Sequence, residues 1–303
     1  MVGMGFGDAL GVGTDYMSRR EVESYYPEGL RRFDQIIRDA HRCQWKRGEY
    51  TNETTLTTLV LESILKTGEF VTREICRAFQ EWYASEERDI SPYMRLYCTN
   101  EDWLENPIPV AHKLWNESGL AEASNETLRR AVVTGLVSPD DKVSEYTRKF
   151  VLSTHDDSRC VATTLVMAKV IHATLRDRKA DPDELMQFCS RIDHRTVPFL
   201  KYAVDGDIDA VKADDFDTMG WARKGMAVSL WGFWHHDNAP DTIYSVVDLG
   251  GDANTNAFLA GALAGLKYGY DALPAEKEKL IGHDYLMDLG DRLAGYIDRK
   301  VFA

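Results

Sequence analysis

Apolar residues recur at helical spacing along almost the whole chain, and alternating runs of β-branched residues are missing. That periodicity admits packed helices and little else. Ile75, Phe79 and Trp82 fall at i, i+4 and i+7 behind Thr72, which reads as an N-cap. Val161, Leu165, Ala168, Ile171 and Leu175 form one stripe of a long helix expected to start near Asp157. Asp181-Pro182-Asp183-Glu184 reads as a cap, a first-turn proline and two acids matched to the helix dipole. Leu185, Phe188 and Cys189 then supply its buried face. Leu56, Leu59, Val60 and Ile64 make a similar face directly after Thr51-Asn52-Glu53-Thr54. The segment nearest to a strand, 243–247, reads equally as a buried helical turn. The six aspartates of 205–217 predict an exposed loop between helices. No repeat, Gly/Ser linker or low-complexity tract divides the 303 residues. The expectation is one all-α domain over 1–303.

Charge narrows the function. There are 36 basic and 49 acidic residues, a net charge of −13, and no basic stripe to displace counterions from phosphates. Nucleic acid and anionic membrane surfaces are therefore poor partners. The most apolar stretch, 257–265, is far shorter than the ~18 residues a span requires. Asp8 interrupts the N-terminal region before any signal-like apolar run. The five cysteines, Cys43, Cys76, Cys98, Cys160 and Cys189, are scattered, as buried thiols in a reducing compartment would be. A cytoplasmic protein is expected.

Four polar segments interrupt the helical pattern. They are Gly7-Asp8-Ala9-Leu10-Gly11 with Asp15, Thr51-Asn52-Glu53-Thr54, Ser153-Thr154-His155-Asp156-Asp157, and Gly250-Gly251-Asp252-Ala253-Asn254-Thr255. The second and fourth put oxygen donors just ahead of apolar helices. Alone, such residues are ordinary caps worth about 1 kcal/mol each. If the two clusters converged, their oxygens would suit a hard divalent cation. Gly261 and Gly265, four apart, predict close helix packing that would bring the clusters together.

In this order the segments resemble the ADP-ribosylglycohydrolase family, including its dinitrogenase reductase-activating members. Gly7 to Gly11 with Asp15 looks like its G-D-A-L-G-x-x-x-E opening. Thr51 to Thr54 sits where the family has T-D-D-T. Ser153 to Asp157 resembles its T-H-x-D segment, and Gly250 to Ala257, continuing through Gly261 and Gly265, its G-G-D-T-D-T-x-A…G-A-x-x-G signature. Ser124-Asn125 with Arg130 is a weaker match to S-N-G-x-x-M-R. The resemblance implies a compact orthogonal multi-helix bundle and one or two Mg²⁺ ions, with Mn²⁺ as a substitute. It further implies hydrolysis of the glycosidic bond joining an ADP-ribosyl group to a protein side chain or small molecule. Carried over residue by residue, Thr51, Asn52, Glu53, Asp252, Asn254 and Thr255 would hold metal. Glu53, Asp15 and Asp252 would be the catalytic carboxylates, with Glu53 activating water. His155 and Asp157 would lie beside ribose and phosphate, and Ser124 and Asn125 on the diphosphate loop.

The departures fall on the expected ligands. Asn52 and Asn254 replace aspartates, Glu53 is one methylene longer, and Glu126 stands where the pattern has glycine. Asparagine offers a carbonyl oxygen but no formal charge, so one ion or none is the expected occupancy. Glu126 is either a first-turn acid facing solvent or a repulsive charge beside a diphosphate. Two alternatives follow: hydrolysis of a different ribosyl or nucleoside-like N-glycoside with a reduced metal site, or ADP-ribose binding without catalysis. His235-His236-Asp237 reads as a helix end, and Trp103 and Trp115 as core or cleft wall.

Overall fold

Two helices from opposite ends of the chain approach more closely than side chains permit. Val2–Gly11 packs along Ala253–Tyr268, and a Cβ on Gly7 would stand 1.9 Å from the Ala257 carbonyl oxygen. A Cβ on Gly261 would likewise lie 2.0 Å from the carbonyl oxygen of Gly3. Backbone meets backbone here, so glycine is obligatory on sterics alone. This is the close packing expected of Gly261, and its partner is the N-terminal helix. Gly265 contributes only an ordinary contact, its Cβ position lying 3.8 Å from the Cα of Gly3.

A computed structural model describes residues 1–85, 88, 90–119 and 123–302. Among these residues there are sixteen α-helices, from Val2–Gly11 to His283–Lys300, short 3₁₀ turns, and no strand beyond an isolated bridge between Ser124 and Trp221. The all-α expectation is met because the apolar stripes find partners: Arg129–Val137 packs on Ser158–Leu175, and Ala239–Val247 and Ala222–Trp234 on Ala253–Tyr268. One apolar cluster reaches from Val2 to Ile297. No helix among the described residues is long and apolar enough to cross a membrane.

Local signals held in most places. Asp157 caps Ser158–Leu175 through the Arg159 N–H, and Asp181 caps Pro182–Ser190. The ambiguous 243–247 segment is helical, inside Ala239–Val247. Three details differ. Thr72 is the first residue of its helix rather than its cap, since the first helical bond accepts at the Val71 carbonyl. The 205–217 stretch is not simply a loop: Ile208–Val211 forms a helical turn whose Val211 is buried. Cys43 is exposed, whereas the other four thiols are buried. Trp103 is fully buried, its indole N–H donating 2.7 Å to the Ser153 carbonyl, and Trp115 stacks on Tyr93. His235 ends the Ala222–Trp234 helix as expected.

Candidate active site

Asp8 converts the glycine-lined helix contact into a site. Its buried carboxylate accepts from the N–H and hydroxyl of Thr51 (3.0 and 2.8 Å) and of Thr54 (3.1 and 2.7 Å). Three of these bonds end on Oδ2 and one on Oδ1, and together they fix the start of Asn52–Thr67 against the N-terminal helix. The second cluster arrives from the other side. Gly250 and Gly251, both at φ +69, make a turn that only glycine enters readily. Gly251 exchanges backbone bonds with Tyr16 and Met17, which places Asp252 near Asp15.

The two helix starts meet directly. The Asn254 side-chain amide donates 3.2 Å to the Thr51 hydroxyl oxygen, across 203 residues of sequence. The Thr51 hydroxyl proton goes to Asp8, and its oxygen also accepts from the Glu53 N–H at 3.3 Å. Its hydrogen-bonding capacity is thus complete. Only a donor can face it from residue 254, which explains asparagine there: an aspartate would set a carboxylate against a lone pair. Asn254→Asp should therefore lower stability by about 1–3 kcal/mol at neutral pH, read by denaturant unfolding.

Glu53 is held by a residue the sequence did not single out. Arg129, at the start of Arg129–Val137, donates 2.7 Å to Glu53 Oε1, and the two side chains are 3% and 5% exposed. Glu53 Oε2 has no partner, nor do Arg129 Nε and Nη2. Burial pushes Glu53 up to about 8 against the pull of Arg129, with Asp8, Asp252 and Glu126 adding repulsion. Burial also raises Asp8 and Asp15 to about 6. Asp252 is raised for the same reason, opposed by Thr255 and Asn125. These acids bind protons more tightly folded than unfolded, so their stabilisation is complete below about pH 4. It is lost as pH rises through about 6 and then about 8. The melting temperature should fall steadily from pH 5 to 8.5, and Glu53→Gln should flatten the upper part of that fall.

The remaining expected residues divide into two groups. Asp15 joins the site: its Oδ2 meets His41 Nε2 at 2.8 Å, its Oδ1 has no partner, and Tyr16 and Trp45 flank the His41 ring. Asn125 donates 2.9 Å to Asp252, so its amide orients a carboxylate. Thr255 is buried alongside. Asn52 is half-buried at the helix start. His155 is fully buried between Tyr93 and Trp115, and burial with Arg130 and Arg129 holds it neutral. Its Nε2 lies 3.3 Å from Glu126 Oε1 without hydrogen-bond geometry. Glu126, only 8% exposed, turns inward; the solvent-facing expectation is corrected because the buried Arg130 guanidinium attracts it. Ser124 accepts from the Glu126 N–H as a cap. Asp157 is spent on the helix N-terminus and on Arg159, which leaves its oxygens committed away from a ligand. Arg129, Asp8 and His41 are the additions that the structure makes.

Most of the expected ligand oxygens are engaged within the protein, and Glu53 Oε2 and Asp15 Oδ1 are the unpartnered ones. The Thr51 hydroxyl is saturated, Asn254 presents its NH₂ to Thr51, and one Glu53 oxygen is bound to a guanidinium. Among the described residues no three His, Cys, Asp or Glu side chains gather as a metal cage would require.

The all-helical fold is similar to that of a solved structure, an ADP-ribosylglycohydrolase-related protein complex. That likeness has a TM-score of 0.72 at 23% identity, covering 96% of this chain and 94% of the other. The ADP-ribosylglycohydrolase family model matches residues 1–301, and the chain belongs to that family, as a hydrolase of its type. Among relatives, the ADP-ribosylarginine hydrolase Tri1 of Serratia proteamaculans is 21% identical over 97% of this chain and 77% of its own. The ADP-ribosyl-[dinitrogen reductase] glycohydrolase of Rhodospirillum rubrum is 24% identical over 90% and 86%.

Proposed function

We propose that the chain hydrolyses the bond between the ribose of an ADP-ribosyl group and its acceptor, with the Thr51 and Asp252 helix starts as the reaction centre. The observation that supports this reading is the Asn254–Thr51 bond, which joins the two helix starts, with Asp252 close enough to act on Glu53 electrostatically. Glu53 Oε2, buried and without a partner, is placed to take a proton from the attacking water. Asp252, oriented by Asn125, and Asp15, held by His41, supply negative charge where an oxocarbenium-like transition state develops it. The exposed Tyr16 ring, edge-on to His41 with Trp45 buried behind it, offers a surface for a flat or sugar-like group. The names of the relatives favour arginine as acceptor. Turnover of ADP-ribosyl-arginine and ADP-ribosyl-serine peptides, followed by release of free ADP-ribose, tests the proposal and separates the acceptors.

The buried Glu53–Arg129 pair favours one rival reading, ADP-ribose binding without turnover, because it ties up one oxygen of the proposed base. Calorimetric binding of free ADP-ribose, with both peptides left intact, would decide for that rival. Cleavage of a simpler ribosyl N-glycoside, with no ADP-ribose binding, would move the substrate away from ADP-ribose altogether.

A further inference from the structure

We propose that Arg129 is the resident cation of this site, its guanidinium standing against Glu53 in place of a divalent ion, so that ligand binds without metal. The inference deepens the functional reading above and rests on it. Three independent features agree. Arg129 and Glu53 make a 2.7 Å ion pair with both side chains almost wholly buried. A buried pair of this kind holds together because removing either partner strands the other charge. Several neighbouring oxygens are then committed elsewhere: Thr51 is saturated by Asp8, Asn254 and the Glu53 N–H, and Asp252 Oδ2 accepts from Asn125, which leaves Glu53 Oε2 and Asp15 Oδ1 without partners. Finally, Arg129 Nε and Nη2 are buried without partners, as are Arg130 Nε and Glu53 Oε2.

Unpartnered buried N–H groups are costly, and their cost is removed when ligand oxygens arrive. A metal ion offers vacant coordination positions to diol or phosphate oxygens. A planar guanidinium offers directed N–H donors to the same oxygens, keeps its charge at any ordinary pH, and needs no loading. The two asparagines and Arg129 act in one direction: Asn52 and Asn254 bring oxygens without negative charge, and the arginine supplies positive charge of its own.

The test uses chelator-stripped full chain with Mn²⁺ as the metal probe, followed by electron paramagnetic resonance of the free ion and by calorimetry. Wild type is expected to show no Mn²⁺ site tighter than about millimolar. Arg129→Met frees Glu53; it should gain Mn²⁺ affinity by about tenfold or more and be stabilised by Mn²⁺ in thermal melts. The gain should vanish in the Arg129→Met/Glu53→Gln double variant. ADP-ribose should bind wild type equally well, within about twofold, in excess Mg²⁺ and in chelator. A micromolar Mn²⁺ site in wild type that Glu53→Gln abolishes would overturn the proposal. So would a tenfold or greater loss of ADP-ribose affinity on chelation. Should Arg129→Met not fold, the two wild-type measurements decide. ADP-ribose failing to bind in either condition defeats the functional reading, while the Mn²⁺ titration still rules on Arg129.

Discussion

Glu53→Gln should lower turnover of ADP-ribosyl-arginine by about 10²–10⁴-fold, the usual contribution of a positioned general base. Glutamine keeps the shape of the side chain, and its carbonyl still accepts from Arg129, so the pocket retains its outline. What it lacks is an oxygen able to take a proton from water. The loss should therefore appear in kcat, with the affinity for ADP-ribose changed only a few-fold. In the wild type, kcat should rise with pH and level off above about 8, because the ionised form of Glu53 does the work and burial delays its ionisation. The rise is opposite in sign to the expected decline in melting temperature, and both trace to one carboxylate. A loss below about tenfold, or a flat pH profile, would remove Glu53 from the role of base.

Gly7→Ala should be the most destabilising single methyl in the chain. The added carbon would stand 1.9 Å from the Ala257 carbonyl oxygen and 3.2 Å from the Phe258 nitrogen, so no side-chain rotamer can relieve it. The helices must separate, and the cost should exceed the ~1–3 kcal/mol of ordinary overpacking. A fall in melting temperature of about 10 °C or more is expected for a chain of this size. Separation would also shift Asp8 and loosen its four bonds to Thr51 and Thr54, so ligand affinity should fall together with stability. Gly265→Ala is the control. Its Cβ position has ordinary clearance, and alanine is better than glycine inside a helix by up to ~1 kcal/mol, so that variant should be neutral or slightly stabilised. Equal behaviour of the two variants would mean that the close contact does not govern stability.

Much of this architecture was readable from residues alone, because the signals are local. Asp181 and Asp157 announce helix starts by side-chain chemistry, and the Gly261 spacing announces a close neighbour. The convergence of the Thr51 and Asp252 clusters was likewise legible from those helix beginnings combined with the family resemblance. Arg129 was not. An arginine opening an apolar helix looks like a solvated end, and only the pairing with Glu53, 76 residues away, makes it buried. Glu126 was ambiguous for the same reason, since a first-turn acid ordinarily faces water and here turns toward His155. Asp8 lies within the Gly7-Asp8-Ala9-Leu10-Gly11 segment, but its task of anchoring two threonines depends on how the helices pack. His41 lies in a stretch without periodicity and carried no signal at all.

The Val2–Gly11 and Ala253–Tyr268 helices embrace across about 240 residues of intervening chain, and the two helix starts meet only while they do. During synthesis, the N-terminal half of the centre must therefore wait, incomplete, until the distant glycine-bearing helix leaves the ribosome. A nascent or truncated chain ending before Asp252 would carry Glu53 and Arg129 yet have no Asn254 to meet Thr51. Long-range closure of this sort makes folding slow and all-or-none, and it ties competence for ligand to completion of the polypeptide.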